Sequence, residues 1–173
     1  MAKKYPKTLS SGANNTVIAL SETEAGKLFF ENTRSEIGSE AEKMKFANNI
    51  NNLVVKFVRL DLLTDDTEVL VMERLYPIDF RAFEFERRQL IFEVFEDELT
   101  QLHKHGFVHR DLRRPSDMPG FSFDNIFLTD HGIRLIDVGI SALRSQVGDK
   151  LFDKFVSQEI NELKAFETFF INR

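Results

Sequence analysis

The sequence predicts an α+β fold of two lobes, in which a strand-rich first half precedes a helix-rich second half. Short β-branched segments separated by polar turns occupy the first seventy residues. From about residue 85, apolar residues recur at intervals of three and four. We expect one domain over residues 1–173, because this length suits a single domain. The N-terminal lobe is expected over 1–73, a hinge over 73–77 and the C-terminal lobe over 78–173, with ligands bound between the lobes.

The first half contains four strand patterns and one helical pattern. The strands are predicted at residues 16–20, 25–30, 53–60 and 68–72, and the polar turn at 21–24 makes the first two a hairpin. A helix is predicted over residues 35–48, where Ile37, Met44 and Ala47 share helical spacing.

The second half contains two helical patterns around a short hairpin. An apolar stripe predicts a helix that ends at Gly106, and its members are Leu90, Ile91, Val94, Phe95, Leu99 and Leu102. Strands are predicted at 125–128 and 133–136, joined by a turn at 129–132. Apolar residues between positions 151 and 170 predict a long amphipathic helix whose aromatic side chains fill the core.

Composition excludes several classes of function. The chain has no cysteine, which rules out disulfides, thiolate catalysis and cysteine-ligated metals. Its net charge of -5 predicts no general affinity for nucleic acid or anionic lipid. No run approaches the about 18 apolar residues of a membrane span, and no apolar stretch follows the basic N-terminus. We therefore expect a cytoplasmic protein without a membrane span.

Three polar segments of the second half carry chemistry. Asp111 stands in His109-Arg110-Asp111-Leu112, just after a predicted helix. Asn125 opens one predicted strand, and Asp137 follows the next. Carboxylate and amide oxygens are ligands that Mg²⁺ prefers, and a further carboxylate can orient a hydroxyl and accept its proton.

These segments resemble the catalytic set of protein kinases: an H-R-D-L loop, an asparagine entering a strand and a D-F-G turn. The resemblance implies a minimal protein-kinase-like fold that binds ATP and Mg²⁺ (or Mn²⁺). It assigns Asp111 to the acceptor hydroxyl, and Asn125 and Asp137 to the metal. Arg113 falls where many kinases have a lysine that steadies the transferred phosphoryl group. The resemblance gives His109 and Arg110 structural roles beside the metal turn.

The first half agrees with this resemblance. The family's glycine-rich loop aligns with residues 10–17, where Gly12 and Val17 match the pattern and two glycines are missing. Lys27 resembles the lysine that pairs with the α- and β-phosphates and with a helix glutamate. We expect that glutamate to be Glu40, because apolar residues three before it and four and seven after it mark an inward face; Glu42 is the rival.

Residues 69–75 resemble the strand that runs into the hinge of a kinase. Met72 would be the gatekeeper beside the nucleotide. The carbonyl of Glu73 and the N–H of Leu75 would then hydrogen-bond adenine.

The chain departs from the usual kinase pattern in two further ways. Fourteen positions separate Asp111 from Asn125, where about five are usual, so residues 114–123 form an insert that is expected to shape the acceptor site. No A-P-E sequence occurs in the 34 residues after Gly139, so we expect no control by activation-loop phosphorylation. In these respects the chain is similar to very small kinases among bacterial effectors and to compact atypical kinases.

The resulting hypothesis is an ATP- and Mg²⁺-dependent protein kinase acting on Ser, Thr or Tyr hydroxyls. Some similar proteins need a partner protein, so an activating partner is part of this expectation, as is residence in bacterial or host cytoplasm. Two alternatives stay open: a kinase for an antibiotic, sugar or lipid headgroup, and a catalytically silent pseudokinase that acts as a binding module.

Overall fold

A five-stranded antiparallel sheet forms the N-terminal lobe in the computed structural model, which describes residues 4–12, 15–29 and 36–172. The strand order is β1-β2-β3-β5-β4. A helix, α1, lies between β3 and β4 in the chain. The bounds are β1 (Lys7–Ser11), β2 (Asn15–Ala19), β3 (Glu24–Phe29), α1 (Ile37–Asn48), β4 (Phe57–Leu62) and β5 (Glu68–Glu73).

The predicted strands and helix of this lobe are present, with two differences. β1 was not predicted as a strand, because it is an exposed edge of polar residues without apolar alternation. The strand predicted from residue 53 begins only at Phe57, because residues 53–55 pair with the C-terminal lobe instead. Phe30 and Ser35, the predicted strand end and helix start, lie outside the described residues.

Helices and two small sheets form the C-terminal lobe. β6 pairs with β9 and β7 pairs with β8, both antiparallel. A short 3₁₀ turn, Phe80–Ala82, precedes the first helix. The bounds are α2 (Phe85–Lys104), β6 (Phe107–Val108), β7 (Ile126–Thr129), β8 (Gly132–Leu135), β9 (Ala142–Leu143), α3 (Arg144–Val147) and α4 (Asp149–Ile171). In the described ranges, no helix has both the length and the apolar character needed to cross a bilayer.

The buried face of α2 differs from the predicted stripe. Its core positions are Phe92, Phe95, Leu99 and Leu102. The prediction that Leu90 and Val94 are buried is wrong: they are 63% and 59% exposed. Each is two residues from Phe92, about 200° around a helix of 3.6 residues per turn, and therefore points away from the core.

Phenylalanine rings join the insert to the helical core. Phe166 of α4 is fully buried, and six rings surround it with centroids 5.2–6.4 Å away. One of them is Phe123, the last residue of the insert, whose ring also packs on Phe169. Arg114, at the start of the insert, forms an ion pair with Asp124. The insert is thus closed at its base and anchored on α4.

Residues 53–55 of the N-terminal lobe form a hydrogen-bonded seam with β8. The N–H of Val55 donates to the carbonyl of Leu135 at 2.8 Å. The N–H of Leu135 donates to the carbonyl of Leu53, also at 2.8 Å. Arg134 reinforces the seam, because its guanidinium donates to the carbonyl of Val54 and to the carboxylate of Glu73.

Candidate active site

Lys27 on β3 connects the two lobes through two carboxylates. Its Nζ lies 2.6 Å from Oε1 of Glu40 on α1 and 3.2 Å from Oδ1 of Asp137. The Lys27 and Glu40 side chains are 4% and 3% exposed, whereas the Asp137 side chain is 40% exposed. Glu42 is exposed, so Glu40 is the helix glutamate that contacts Lys27.

The lysine affects its two carboxylates differently. Burial raises the pKa of Glu40, and the Lys27 ammonium only partly opposes this. Burial also acts to raise the pKa of Asp137. There, however, the attraction and hydrogen bond of Lys27, together with the N–H of Gly139, outweigh burial, and the net pKa is lowered. Asp137 is therefore held as an anion on the solvent-exposed side of the Lys27–Glu40 pair.

Asp111, which precedes the insert, is in direct contact with Asn125, which follows it. Asn125 Nδ2 donates to the backbone carbonyl and to Oδ2 of Asp111, each at 3.0 Å. With its amide nitrogen engaged, Asn125 keeps its amide oxygen as an acceptor or metal ligand. Burial raises the pKa of Asp111, and the Asp137 carboxylate adds to this.

His109 ties the loop of residues 109–113 to the strand that leads into Asp137. Its Nε2 lies 2.8 Å from the carbonyl of Ile136, and its Nδ1 accepts the N–H of Asp111 at 3.3 Å. The N–H of Ile136 in turn donates to the carbonyl of Asn125 at 3.0 Å, which brings Asn125 beside the Asp137 turn. His109 is fully buried and links the Asp111 segment to Ile136, which in turn contacts Asn125.

Two non-glycine residues of the site have left-handed backbone conformations. Arg110 has φ 72° and Asp137 has φ 57°. Such conformations cost about 1 kcal/mol or more and persist where the surroundings impose them, often at functional sites. Here Glu159 accepts the N–H of Arg110, and Asp137 accepts the N–H of Gly139.

One face of the sheet carries the residues predicted to contact the nucleotide. Val17 lies opposite Lys27 in the β2–β3 pair, and Met72 lies opposite Ala25 in the β3–β5 pair. Directly opposite residues, and residues two apart on one strand, share a face. Val17, Lys27 and Met72 therefore line the same side.

The hinge and the β1–β2 turn border this face. The N–H of Leu75 has no acceptor within the described part of the chain, so it is available to a ligand. The Glu73 carboxylate instead contacts Arg134 and the N–H of Lys56. The Gly12 N–H donates to the carbonyl of Asn15 at 2.9 Å across the turn, whose residues 13 and 14 lie outside the described ranges.

Sequence reasoning missed two carboxylates on α4 that hold the loop of residues 109–113. Glu159, 1% exposed, accepts the N–H groups of His109 and Arg110 and contacts Nε2 of His103 at 2.9 Å. Glu162 accepts the N–H groups of Leu112 and Arg113 at 3.0 and 3.1 Å. The signal was available: Glu159 stands four residues before Leu163, on the apolar face of the helix.

The protein itself offers few ligands to a metal ion. Over the ranges that the structure describes, no group of three His, Asp or Glu side chains could hold an ion. Asn125 and Asp137 supply two neighbouring oxygen donors. This set suits an ion such as Mg²⁺ that takes its remaining ligands from phosphates and water.

Arg113 lies at the rim of a cavity. Its side chain is exposed, and the cavity, of about 410 Å³, lies between the insert and α4. A larger cavity, of about 620 Å³, lies between residues 77–81, the insert and β7. Lys27, Asp111 and Asp137 line neither cavity, so the polar cluster and the cavities are separate features.

Comparison with known proteins shows the fold. No family model and no curated protein matches the sequence. Among solved structures, the Legionella pneumophila kinase Lpg2603 bound to IP6 is similar with a TM-score of 0.65 and 20% identity, covering 95% of this chain and 58% of that one. The PK-1 kinase of Cydia pomonella granulovirus has a TM-score of 0.56 and 17% identity, covering 79% and 53%.

The predicted fold class is therefore confirmed: the chain has a small, atypical kinase-like fold with a strand-rich lobe and a helical lobe. It spans little more than half the length of these two kinases.

Proposed function

We propose that this protein is an ATP- and Mg²⁺-dependent phosphotransferase. One observation carries the proposal: Lys27 bridges Glu40 and Asp137 from different lobes, while Asn125 holds Asp111 beside the same turn. Phosphoryl transfer needs charge neutralisation and alignment more than covalent chemistry, and this cluster supplies both. The kinase-like fold supports the proposal.

The binding roles that we propose are those that the kinase resemblance implies. Lys27, fixed by Glu40, presents its ammonium to the α- and β-phosphates. Asn125 and Asp137 would hold Mg²⁺, which when bound neutralises phosphate charge. Val17 and Met72 would contact the base on the sheet face, and the Leu75 N–H and Glu73 carbonyl would hydrogen-bond it. Gly12 would lie over the phosphates.

Asp111 is the residue that meets the acceptor. The Asn125 amide fixes its carboxylate, which leaves the other oxygen to accept a hydrogen bond from a hydroxyl and then its proton. Arg113, two residues later and exposed, would steady the transferred group as a fixed cation.

The acceptor class we propose is a protein Ser, Thr or Tyr hydroxyl. A second candidate is a small molecule, because the cavity beside Arg113 has a volume within the range of small-molecule sites. The IP6 bound to the Legionella kinase shows that one similar fold binds a polyphosphorylated small molecule.

Labelled ATP tests the proposal and separates the candidates. We would incubate the protein and its Asp137→Ala variant with γ-labelled ATP and lysate, and then measure label in protein and in metabolite fractions. Label in protein that depends on Asp137 supports a protein kinase, and label in metabolites supports a small-molecule kinase. Equal labelling by both proteins would exclude phosphotransfer at this site, and binding of Mg-ATP without transfer would indicate a pseudokinase.

A further inference from the structure

Five successive backbone N–H groups around Asp111 are all bound by side chains. Glu159 accepts those of His109 and Arg110, and His109 accepts that of Asp111. Glu162, one helical turn after Glu159, accepts those of the next two residues. The position of the loop on either side of Asp111 thus depends on two carboxylates of one helix.

We propose that Glu162 is a positioning residue for phosphoryl transfer, which holds Leu112 and Arg113 so that Asp111 and the Arg113 side chain face the acceptor. This inference rests on the proposed function. Both N–H groups donate to the same oxygen, Glu162 Oε2. A single carboxylate therefore fixes the direction in which the chain leaves Asp111, before it enters the insert.

The surroundings of Glu162 make its charge sensitive to pH. Burial is the main factor, and the carboxylates of Glu159 on the same helix and Asp111 on the loop oppose its ionisation; together they raise the pKa of Glu162 to about 7 despite the two N–H donors. The Arg113 side chain is exposed, and His103 of α2 contacts Glu159 instead. Hydrogen bonds to an ionised carboxylate are stronger than those to a neutral one. The loop is thus held most firmly above about pH 7.

Stability and activity should change in opposite directions when Glu162 loses its charge. An acid whose pKa is raised in the folded state is costly to keep ionised. Glu162→Gln retains an acceptor oxygen for the two N–H groups but removes that cost, so at pH 8 the variant should melt at the same or a higher temperature. If Glu162 served only the fold, the same substitution would lower the melting temperature.

The kinetic test compares Glu162→Gln with Glu167→Gln, an exposed glutamate of the same helix. We expect kcat at pH 8 to fall about 10- to 100-fold in Glu162→Gln, because small displacements of a catalytic group cost this much. KM for ATP should stay unchanged, since Lys27 and Asp137 are untouched. The wild type should lose activity with a midpoint near pH 7 as pH falls, and the variant should lack that step. Glu167→Gln should match the wild type.

A measurement on the nucleotide-free protein separates the inference from the proposed function. The amide proton shifts of Leu112 and Arg113 should titrate with a midpoint near pH 7 in the wild type and stay flat in Glu162→Gln. If the wild type shows no Mg-ATP-dependent transfer, the proposed function fails and the catalytic role with it, whatever the amide shifts do. If the wild type is active and Glu162→Gln has the same kcat and pH profile, only the positioning role is overturned.

Discussion

Asn125 donates two hydrogen bonds of 3.0 Å to Asp111, one to its carbonyl and one to its carboxylate. Thirteen residues lie between them, yet the contact is as close as that of neighbours in one turn. Arg114 and Asp124, which lie between these two residues in the sequence, form an ion pair with each other. The insert therefore leaves and rejoins the site at nearly one point, and its length is accommodated outside the cluster.

Asp111→Asn should slow transfer by about 10² to 10⁴ and spare nucleotide binding. The amide cannot accept a proton from the acceptor, and removing a general base typically costs about 10² to 10⁴ in rate. Steady-state transfer and Mg-ATP binding by calorimetry would check this. Asp130→Asn, in the exposed β7–β8 turn, is the control and should behave as wild type. A variant that binds nucleotide and transfers phosphate at the wild-type rate would remove Asp111 from the mechanism.

Asp137→Asn should uncouple ATP binding from Mg²⁺. Wild-type protein with ligand at 100 times Kd should gain about 2.7 kcal/mol of unfolding free energy, or roughly 5–10 °C in Tm. In the variant the additional stabilisation by Mg²⁺ over ATP alone should disappear, because the only carboxylate of the two proposed ligands, Asn125 and Asp137, has become an amide. Thermal unfolding with ATP, with and without Mg²⁺, measures this, and an undiminished Mg²⁺ effect would contradict the assignment.

Lys27→Met should destabilise the protein as well as inactivate it. It leaves Glu40 buried without its partner, and breaking a buried ion pair costs about 3–5 kcal/mol. The double variant Lys27→Met/Glu40→Leu should recover most of this stability while staying inactive. Urea unfolding of both, with exposed Lys56→Met as the control, would test the pair. If the second substitution gave no recovery, Glu40 would not be the source of the loss.

Gly26→Ala should lower stability by about 1–3 kcal/mol through overpacking. A Cβ at Gly26 of β3 would stand 2.7 Å from Cγ2 of Val69 on β5 and 3.2 Å from Cδ1 of Leu20, so these buried or half-buried side chains would have to shift. Gly38→Ala in α1 is a matched control, since its Cβ meets only one atom, at 3.9 Å. That change should instead stabilise the helix by about 0.5 kcal/mol. Equal effects of the two substitutions would show that the β3–β5 packing is looser than described.

The stability difference between wild type and Glu162→Gln should depend on pH. The folded state binds the Glu162 proton more tightly than the unfolded chain, with pKa values of about 7 and 4.5. Ionisation of Glu162 therefore removes stability as pH rises through this window. Near pH 4.5 the wild type and Glu162→Gln should have equal free energies of unfolding. At pH 8 that of Glu162→Gln should be higher by about 1–2 kcal/mol, after allowing for solvent screening. Urea unfolding at both pH values measures this, and a constant difference would contradict the raised pKa.

Residues that occur in short ordered motifs could be predicted from sequence, because their type and spacing are set by local chemistry. The contact of Lys27 with Glu40 followed from the inward face of one amphipathic helix. For the two carboxylates of α4, the sequence marks Glu159 as facing the core, but it does not reveal the partners, which are backbone groups about fifty positions away. A hydrogen bond to a backbone N–H leaves no trace in the identity of the donor residue.

Periodicity located α2 and most of its buried face, but it added Leu90 and Val94 to that face, because apolar residues occur on both sides of the helix. Leu90 and Val94 are apolar and exposed, so the sequence alone allows a wider stripe than the core uses. β1 shows the converse: an edge strand is fixed by pairing with β2, and its five exposed residues need no apolar pattern.

The seam between residues 53–55 and β8 determines how the cleft can open. Its backbone hydrogen bonds, reinforced by Arg134, fasten the two lobes along the rear of the site. Among the residues that the structure describes, no backbone hydrogen bond ties β1 or β2, at the outer edge of the sheet, to the C-terminal lobe, and β1 is exposed along its length. We therefore expect a ligand of the cleft to enter and leave by bending of that outer hairpin, with the rear seam as a fixed axis, and amide hydrogen exchange to be fast in β1 and slow at Val55 and Leu135.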